Sequence, residues 1–450
     1  MSIRNTLTKN FILPLNDTIL GYNISKNLSF LLKSQYWTKE ELEAFQNKQL
    51  KKLISHSYTN VQYYRELFDS LNLKPHDIQT KADLHKLPIL TKDIIRKNIK
   101  NGKIIAKNIP EKQMIYSSSS GSTGEPLQYF RTKESHSFAY ACGIRAWYWM
   151  GYRLGDKYVK LSQNPRNRTI KKLQDKVNNT KYLFSQQLTD ENFEKIIEKI
   201  NMYQPKVIRG YPDPMTFLAN YIKKKNVRIF SPEVINTTGN ILYKEARELI
   251  EKQFGCRIFD SYNCEGGANV SECETHNCYH SSMEYAFTEI ISNSVEVNNG
   301  ERGRLITTDL HNYATPFLRY DTQDYVVKAK GKCSCGRELL AIEKIDGRDS
   351  DILVTPKGKF LILHNFTGYF EWVDSVDHFQ VRQEKTDEFH LFLKVNSRFT
   401  KEIEKEIKEY WEEYINEDVE IKIFVVDDIY FTSSGKRRFL IRNNAIKLNL

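Results

Sequence analysis

The chain has 450 residues, of which 40% are hydrophobic, 12% aromatic and 27% charged, a balance that excludes fibrous, low-complexity and disordered classes and predicts a globular protein of more than one folding unit. Lys and Arg number 67 against 56 Asp and Glu, a formal charge of +11 that suits a polyanionic ligand such as ATP or an anionic membrane face. The lysines are dispersed and no zinc-finger or aromatic-basic pattern accompanies them, so no nucleic-acid partner is expected.

No apolar run reaches the roughly 18–20 residues a membrane helix needs, so nothing is expected to span a bilayer, while peripheral membrane contact stays open. Arg4 and Lys9 precede an apolar stretch after Phe11, but Pro14, Asn16 and Asp17 interrupt it and no small-residue cleavage site follows. That pattern argues against a secretory signal and for a cytoplasmic protein. Seven cysteines, an odd number at low density, point the same way.

Residues up to about 100 read as mostly helical, with turn signals from Asn72 to Pro75 and Thr91 placed to cap the helix behind it. From Gly102 onward, short β-rich runs alternate with amphipathic helices, the pattern of an α/β domain. Residues 234–236 close a strand, Gly239 punctuates, and 244–254 have helical spacing with Ala246, Leu249 and Ile250 on one face and Gly255 as the stop. Residues 257–259 make a further short strand, and 260–267 are expected as a loop beyond its carboxyl end, where α/β sheets bind ligands.

After Gly347 the texture changes. Residues 379–381 and 389–393 predict two antiparallel strands around a charged turn. Ile403, Ile407, Trp411 and Tyr414 form the apolar stripe of a helix, and 419–423 alternate as a strand. The expected organisation is a large domain over residues 1–346 and a small ββαβ domain over 347–450, with no internal repeat.

The densest local signal is Tyr116-Ser117-Ser118-Ser119-Ser120-Gly121-Ser122-Thr123-Gly124-Glu125-Pro126. Hydroxyls and glycines in one turn let backbone N–H groups close around phosphate oxygens. Glu125 follows Gly124 where a P-loop NTPase has lysine, so that family is disfavoured.

The same stretch resembles the phosphate-binding signature of adenylate-forming enzymes, in the branch of phenylacetate-CoA ligases, coenzyme F390 synthetases and the CapK-type proteins of capsule gene clusters. Further motifs follow in that family's order. Gly210-Tyr211-Pro212 and Thr237-Thr238-Gly239-Asn240 resemble its central and adenine-side segments, with Asn240 where the branch has Glu. Ser261-Tyr262-Asn263-Cys264-Glu265 is similar to its Tyr-Gly-x-x-Glu motif. Thr307-Thr308-Asp309-Leu310 and Leu318-Arg319-Tyr320-Asp321-Thr322-Gln323-Asp324 follow, with Gln323 replacing Gly. Gly347-Arg348-Asp349-Ser350-Asp351 matches the hinge, with Ser350 at the usual hinge residue, and Gly435-Lys436-Arg437 the C-terminal Gly-Lys.

The resemblance implies a large multi-layer α/β N-terminal domain with a small, mobile α+β C-terminal lid. It implies that Ser119, Ser120, Gly121, Ser122, Thr123 and Gly124 hold ATP phosphates, that Gly239 lies on the adenine side, that Tyr262 stacks on adenine and that Asp324 accepts hydrogen bonds from both ribose hydroxyls. Glu265 would hold Mg²⁺, Arg348 would contact the ribose or phosphate side, and Lys436 would act from the small domain. The implied reaction is ATP-dependent activation of a carboxylic acid to an acyl adenylate, followed by transfer to CoA. An amine acceptor in surface-polysaccharide assembly, or a nucleotide-binding scaffold without catalysis, are the alternatives.

Cys333 and Cys335, with Cys273 and His280 some sixty residues earlier, supply four ligands of the kind tetrahedral Zn²⁺ takes. Free loop cysteines are the alternative reading. A similar site in some members of the branch favours His280 over His276, leaves Cys278 in reserve and implies a structural role.

Overall fold

The computed structural model describes residues 2–118, 127–162, 169–185, 190–348, 352–358, 360–362, 366, 369–370, 373–429, 438–443 and 445–446. These divide into two compact units, one up to Asp346 and the other from Gly347. The large unit is α/β and the small one α+β, the fold class expected from the sequence.

The large unit is built on a 12-stranded sheet. In one half, Arg257–Asn263, Val234–Thr238, Val207–Gly210, Tyr158–Ser162 and Thr180–Phe184 lie parallel in that order, joined by helices. Helix Lys244–Phe254 ends on Gly255 in the left-handed conformation (φ 66°), as glycine permits at no steric cost. Its Ile250 and Phe254 pack with Met215, Leu218 and Ile222 of helix Pro212–Lys225 over Val159, Ile208, Ile235 and Ile258 of the strands. The strands are buried on their other face too, where Tyr158, Val207, Val234 and Phe259 pack with Met150 and Tyr152, as expected of a parallel sheet covered on both sides.

The other half departs from the expected alternation of strand and helix. From Asn269–Glu272 through Tyr279–Ser281, Ala286–Ser292, Arg302–Asp309 and Tyr320–Lys328 to Ala341–Arg348, the strands follow one another without intervening helices, and their pairings are antiparallel. The expected loop over 260–267 is also shorter. Strand Arg257–Asn263 runs on to pair antiparallel with Asn269–Glu272, so Tyr262 lies on a strand rather than in a loop. Asp260, Ser261 and Asn263 have low strand propensity, but tertiary hydrogen bonds override it. Asn236 Nδ2 donates to Ser261 Oγ at 3.1 Å, and Thr237 Oγ1 to Asp260 Oδ1 at 2.6 Å.

The helices before residue 100 pack onto this unit. Thr91 caps Lys92–Lys100 by accepting from the Ile94 N–H. Leu50, Leu53, Ile54, Tyr64 and Phe68 pack against Leu310, Phe317 and Tyr320.

In the small unit the sheet order is Glu420–Val425, Glu388–Val395, Val376–Lys385, Leu440–Arg442. Helix Lys401–Ile415 buries Ile407, Trp411 and Ile415. The ββαβ reading lacks the last strand, which pairs parallel to Val376–Lys385, and a separate hairpin of Ile352–Val354 and Phe360–Ile362. Three residues give an apolar run too short to register as a strand from sequence.

Candidate functional site

The motif segments of the large unit meet at the carboxyl ends of the parallel strands. Gly239 follows Val234–Thr238 with φ 89°, and a Cβ there would lie 2.2 Å from Cε1 of Tyr211. Only glycine allows the ring to lie against this turn. Tyr211 precedes helix Pro212–Lys225, with Pro212 in its first turn, where the missing N–H costs nothing. Gly210-Tyr211-Pro212 and Thr237-Thr238-Gly239 are therefore one contact surface. Asn240 Nδ2 donates to the Asp213 carboxylate across it.

Three strands separate Arg257–Asn263 from Tyr320–Lys328 in the sheet order, yet the Tyr262 hydroxyl donates to Asp324 Oδ2, so the sheet curls to bring them together. Burial pushes the Tyr262 hydroxyl well above its ordinary pKa, the Asp324 charge adds to this, and the hydroxyl stays a donor. Asp324 is buried, and its N–H donates to Thr322 Oγ1 at 3.1 Å. The preceding Gln323 is left-handed (φ 66°), where the related motif has glycine. Its Oε1 accepts from buried Lys92 Nζ at 2.9 Å, a local compensation for the backbone cost.

The Glu265 loop is held flat by its glycines. A Cβ on Gly266 would lie 2.2 Å from Tyr320 Cδ1 and 2.4 Å from Thr307 Oγ1, and one on Gly267 would lie 2.9 Å from Asp309 Cα. Glu265 is half-buried, and its carboxylate makes no hydrogen bond or ion pair among the described residues. Burial raises the Tyr129 hydroxyl, the Arg131 charge opposes that and the Glu265 charge adds to it. Strand Gln128–Thr132 pairs antiparallel with Met114–Ser118.

Two neighbouring motif residues are structural. Asp309 accepts from the N–H groups of His311 and Asn312 and from Tyr285 and Ser135 hydroxyls. Arg319 pairs with Glu289 at 3.0 Å and donates to the Leu87 carbonyl. Ser119, Ser120, Gly121, Ser122, Thr123, Gly124, Ser350 and Lys436 lie outside the described residues; Arg348 ends strand Ala341–Arg348.

A second cluster lies where strands Asn269–Glu272, Tyr279–Ser281 and Ala341–Arg348 adjoin. His280 is paired with Ser271 on one side and Ala341 on the other, Cys273 follows the first strand, and Cys333 and Cys335 precede the third. Ligand atoms of Cys273, His280, Cys333 and Cys335 all lie within 4.8 Å of one another. Cys273 and Cys333 sulfurs are 3.6 Å apart, and Cys335 Sγ is 3.2 Å from His280 Nε2. A tetrahedral Zn²⁺ about 2.3 Å from sulfur and about 2.0–2.1 Å from nitrogen needs ligand separations of about 3.6–3.8 Å, so the set fits such an ion with small adjustment. Burial lowers His280 to about 4, leaving the neutral imidazole a metal needs. Burial raises Cys273 to about 12. It raises Cys333 too, but there hydrogen bonding by Thr275 and by the Cys335 backbone prevails and brings that thiol down to about 7.

His276 lies outside the cluster, its ring 4.2 Å from that of Phe259. Cys278 Sγ is 3.8 Å from His280 Nε2, within reach as a spare ligand. Sequence reasoning missed Thr275, whose Oγ1 is 3.2 Å from both Cys273 and Cys333 sulfurs. Its spacing from Cys273 is the only signal for it. It also missed Asp260, which burial raises to about 6 while Thr237 and Tyr279 donate to its carboxylate.

A model of the CapK C-terminal domain matches residues 353–443. Protein CapK of Staphylococcus aureus is 25% identical over 415 residues, covering 90% of each chain. Phenylacetate-coenzyme A ligase of Thermus thermophilus is 26% identical over 396 residues, covering 82% of this chain and 85% of its own. Among solved structures, 2-hydroxyisobutyryl-CoA ligase has the same fold, with a TM-score of 0.72 at 15% identity over 92% of each chain. Motif order, fold and relatives agree in one likeness: the chain is similar to the adenylate-forming ligases, in the branch of CapK and the phenylacetate-coenzyme A ligases.

Proposed function

We propose that this chain activates a carboxylic acid with ATP and passes the acyl group to CoA. A carboxylate oxygen would attack the α-phosphorus, pyrophosphate would leave, and the CoA thiol would then attack the acyl carbon and release AMP. The observation that carries the reading is the convergence of the Tyr211–Gly239 contact, the Tyr262–Asp324 hydrogen bond and the Glu265 loop at the strand ends. Relatives named phenylacetate-coenzyme A ligase support it, as does the solved 2-hydroxyisobutyryl-CoA ligase complex with 2-HIB-AMP and CoA.

In this reading Tyr262 stacks on adenine and Asp324 holds the ribose hydroxyls, oriented by the Tyr262 hydroxyl. Glu265 is a hard oxygen ligand for Mg²⁺, which when bound neutralises charge on the phosphates. Ser119 to Gly124 close around those phosphates, Arg348 contacts the ribose or phosphate side, and Lys436 offsets the repulsion between carboxylate and α-phosphate. Zn²⁺ on Cys273, His280, Cys333 and Cys335 is a structural clamp between strands rather than a reactant.

The test is ATP–pyrophosphate exchange across aryl, fatty, amino and uronic acids, then AMP release with CoA. Exchange with none of them, with ATP binding intact, would favour a scaffold. A second reading, transfer to an amine such as an amino acid or amino sugar in capsule assembly, is favoured by the match of residues 353–443 to the CapK C-terminal domain. AMP release driven by an amine without CoA would select it.

A further inference from the structure

Ile3 to Leu20 form one helical rod: Ile3–Leu7 and Leu13–Leu20 are α-helical, and Thr8–Ile12 winds between them as a π-turn. Gly21 ends it in the left-handed conformation, and Lys133 Nζ donates to the Leu20 carbonyl at 2.8 Å. Its amphipathicity is inverted. Asn5, Thr8 and Asp17 are the buried side chains. Asn5 Nδ2 donates to the Leu154 carbonyl at 3.0 Å and to Asp156 Oδ1 at 2.8 Å, and the Asp17 carboxylate accepts from the Ser25 N–H and hydroxyl, both at 2.7 Å.

The solvent side carries Ile3, Leu7, Phe11, Leu15 and Ile19, four residues apart and between 48% and 81% exposed. A four-residue repeat drifts by about 40° per step on an α-helix, and the wider π-turn takes up part of that drift. Exposed leucines scattered singly need no explanation, but a continuous stripe of this kind does.

The stripe is about 27 Å long and about 10 Å wide, roughly a third of the ~800 Å² per partner that a standard protein interface buries, so a second copy of the chain is a poor occupant. The charges favour a different one. Between Ser2 and Trp37, Arg4, Lys9, Lys26 and Lys33 accompany a single acid, Asp17, which is buried. Lys9 and Lys26 make no ion pair among the described residues. No helix among the described residues is long and apolar enough to cross a membrane. We infer that this rod lies in the headgroup layer of an anionic bilayer, with its apolar stripe immersed and the flanking lysines against lipid phosphates.

Flotation of the full chain with vesicles of phosphatidylcholine containing about a third phosphatidylglycerol tests this. The chain should float with them, less at about 1 M than at about 0.1 M salt and less with phosphatidylcholine alone. Phe11→Ser with Leu15→Ser should lower vesicle partition at least about tenfold, with circular dichroism and thermal midpoint unchanged because neither side chain is buried. Lys9→Glu with Lys26→Glu should lower it selectively on the anionic vesicles. Failure of the unmodified chain to float, equal flotation of the Phe11/Leu15 variant, or self-association that this variant abolishes would each overturn the inference, the last in favour of a second copy.

Discussion

Substituting Gly266 by Ala tests whether the Glu265 loop is held as described. The new Cβ would meet Tyr320 Cδ1 at 2.2 Å and Thr307 Oγ1 at 2.4 Å, both far inside van der Waals contact. Neither neighbour can step aside: Tyr320 and Thr307 are fully buried, and the Tyr320 ring packs 5.0 Å from that of Phe317. The loop must lift instead, so overpacking should cost about 1–3 kcal/mol and move Glu265 with it. Gly331→Ala is the matched control, since a Cβ there meets nothing within 4 Å and should change stability by no more than about 0.5 kcal/mol. Calorimetric unfolding of both variants, with ATP–pyrophosphate exchange titrated against Mg²⁺, gives two readouts. Gly266→Ala should lower the unfolding midpoint of the large unit and raise the Mg²⁺ needed for half-maximal exchange. If it matches Gly331→Ala in both, the close packing of this loop, and the Glu265 position derived from it, is wrong.

Protein purified without chelator should carry about one zinc per chain, and Cys335→Ser should lose it and lower thermal stability before altering chemistry; metal analysis that finds none removes the site. Asp260, raised to about 6 against an ordinary value of 3.8, gives stability that is fully present below pH 3.8 and lost as pH rises through about 6, a contribution of about 3 kcal/mol. Asp260→Asn should therefore flatten the pH dependence of denaturant midpoints between those values, and an unchanged profile would contradict the assignment. Gln323→Ala removes the Lys92 partner while keeping the left-handed backbone, whereas Gln323→Gly relieves it, so the Ala variant should be less stable than the Gly variant by about 1 kcal/mol in urea unfolding.

What the sequence by itself determined is local chemistry and order. Gly255 as a helix stop, Thr91 as a cap and the stripe of Ile407 and Trp411 are readable because each depends on spacing along one segment. The Cys-x-Cys pair and the Cys/His group sixty residues earlier are readable because ligand chemistry restricts the residue types, while the preference for His280 over His276 came from the resemblance. Tertiary structure alone decided the rest. It carried Arg257–Asn263 through residues of poor strand propensity, because Asn236 and Thr237 on the neighbouring strand satisfy their side chains. It set Tyr211 against Gly239 and Tyr262 against Asp324, contacts created by the curl of the sheet rather than by any periodicity. It also turned the rod from Ile3 to Leu20 with Asn5 and Asp17 inward and Phe11 outward, because buried polar groups must find partners and these found theirs in Leu154, Asp156 and Ser25. Amphipathic spacing marks two faces of a helix, and which face meets the protein depends on partners elsewhere in the chain.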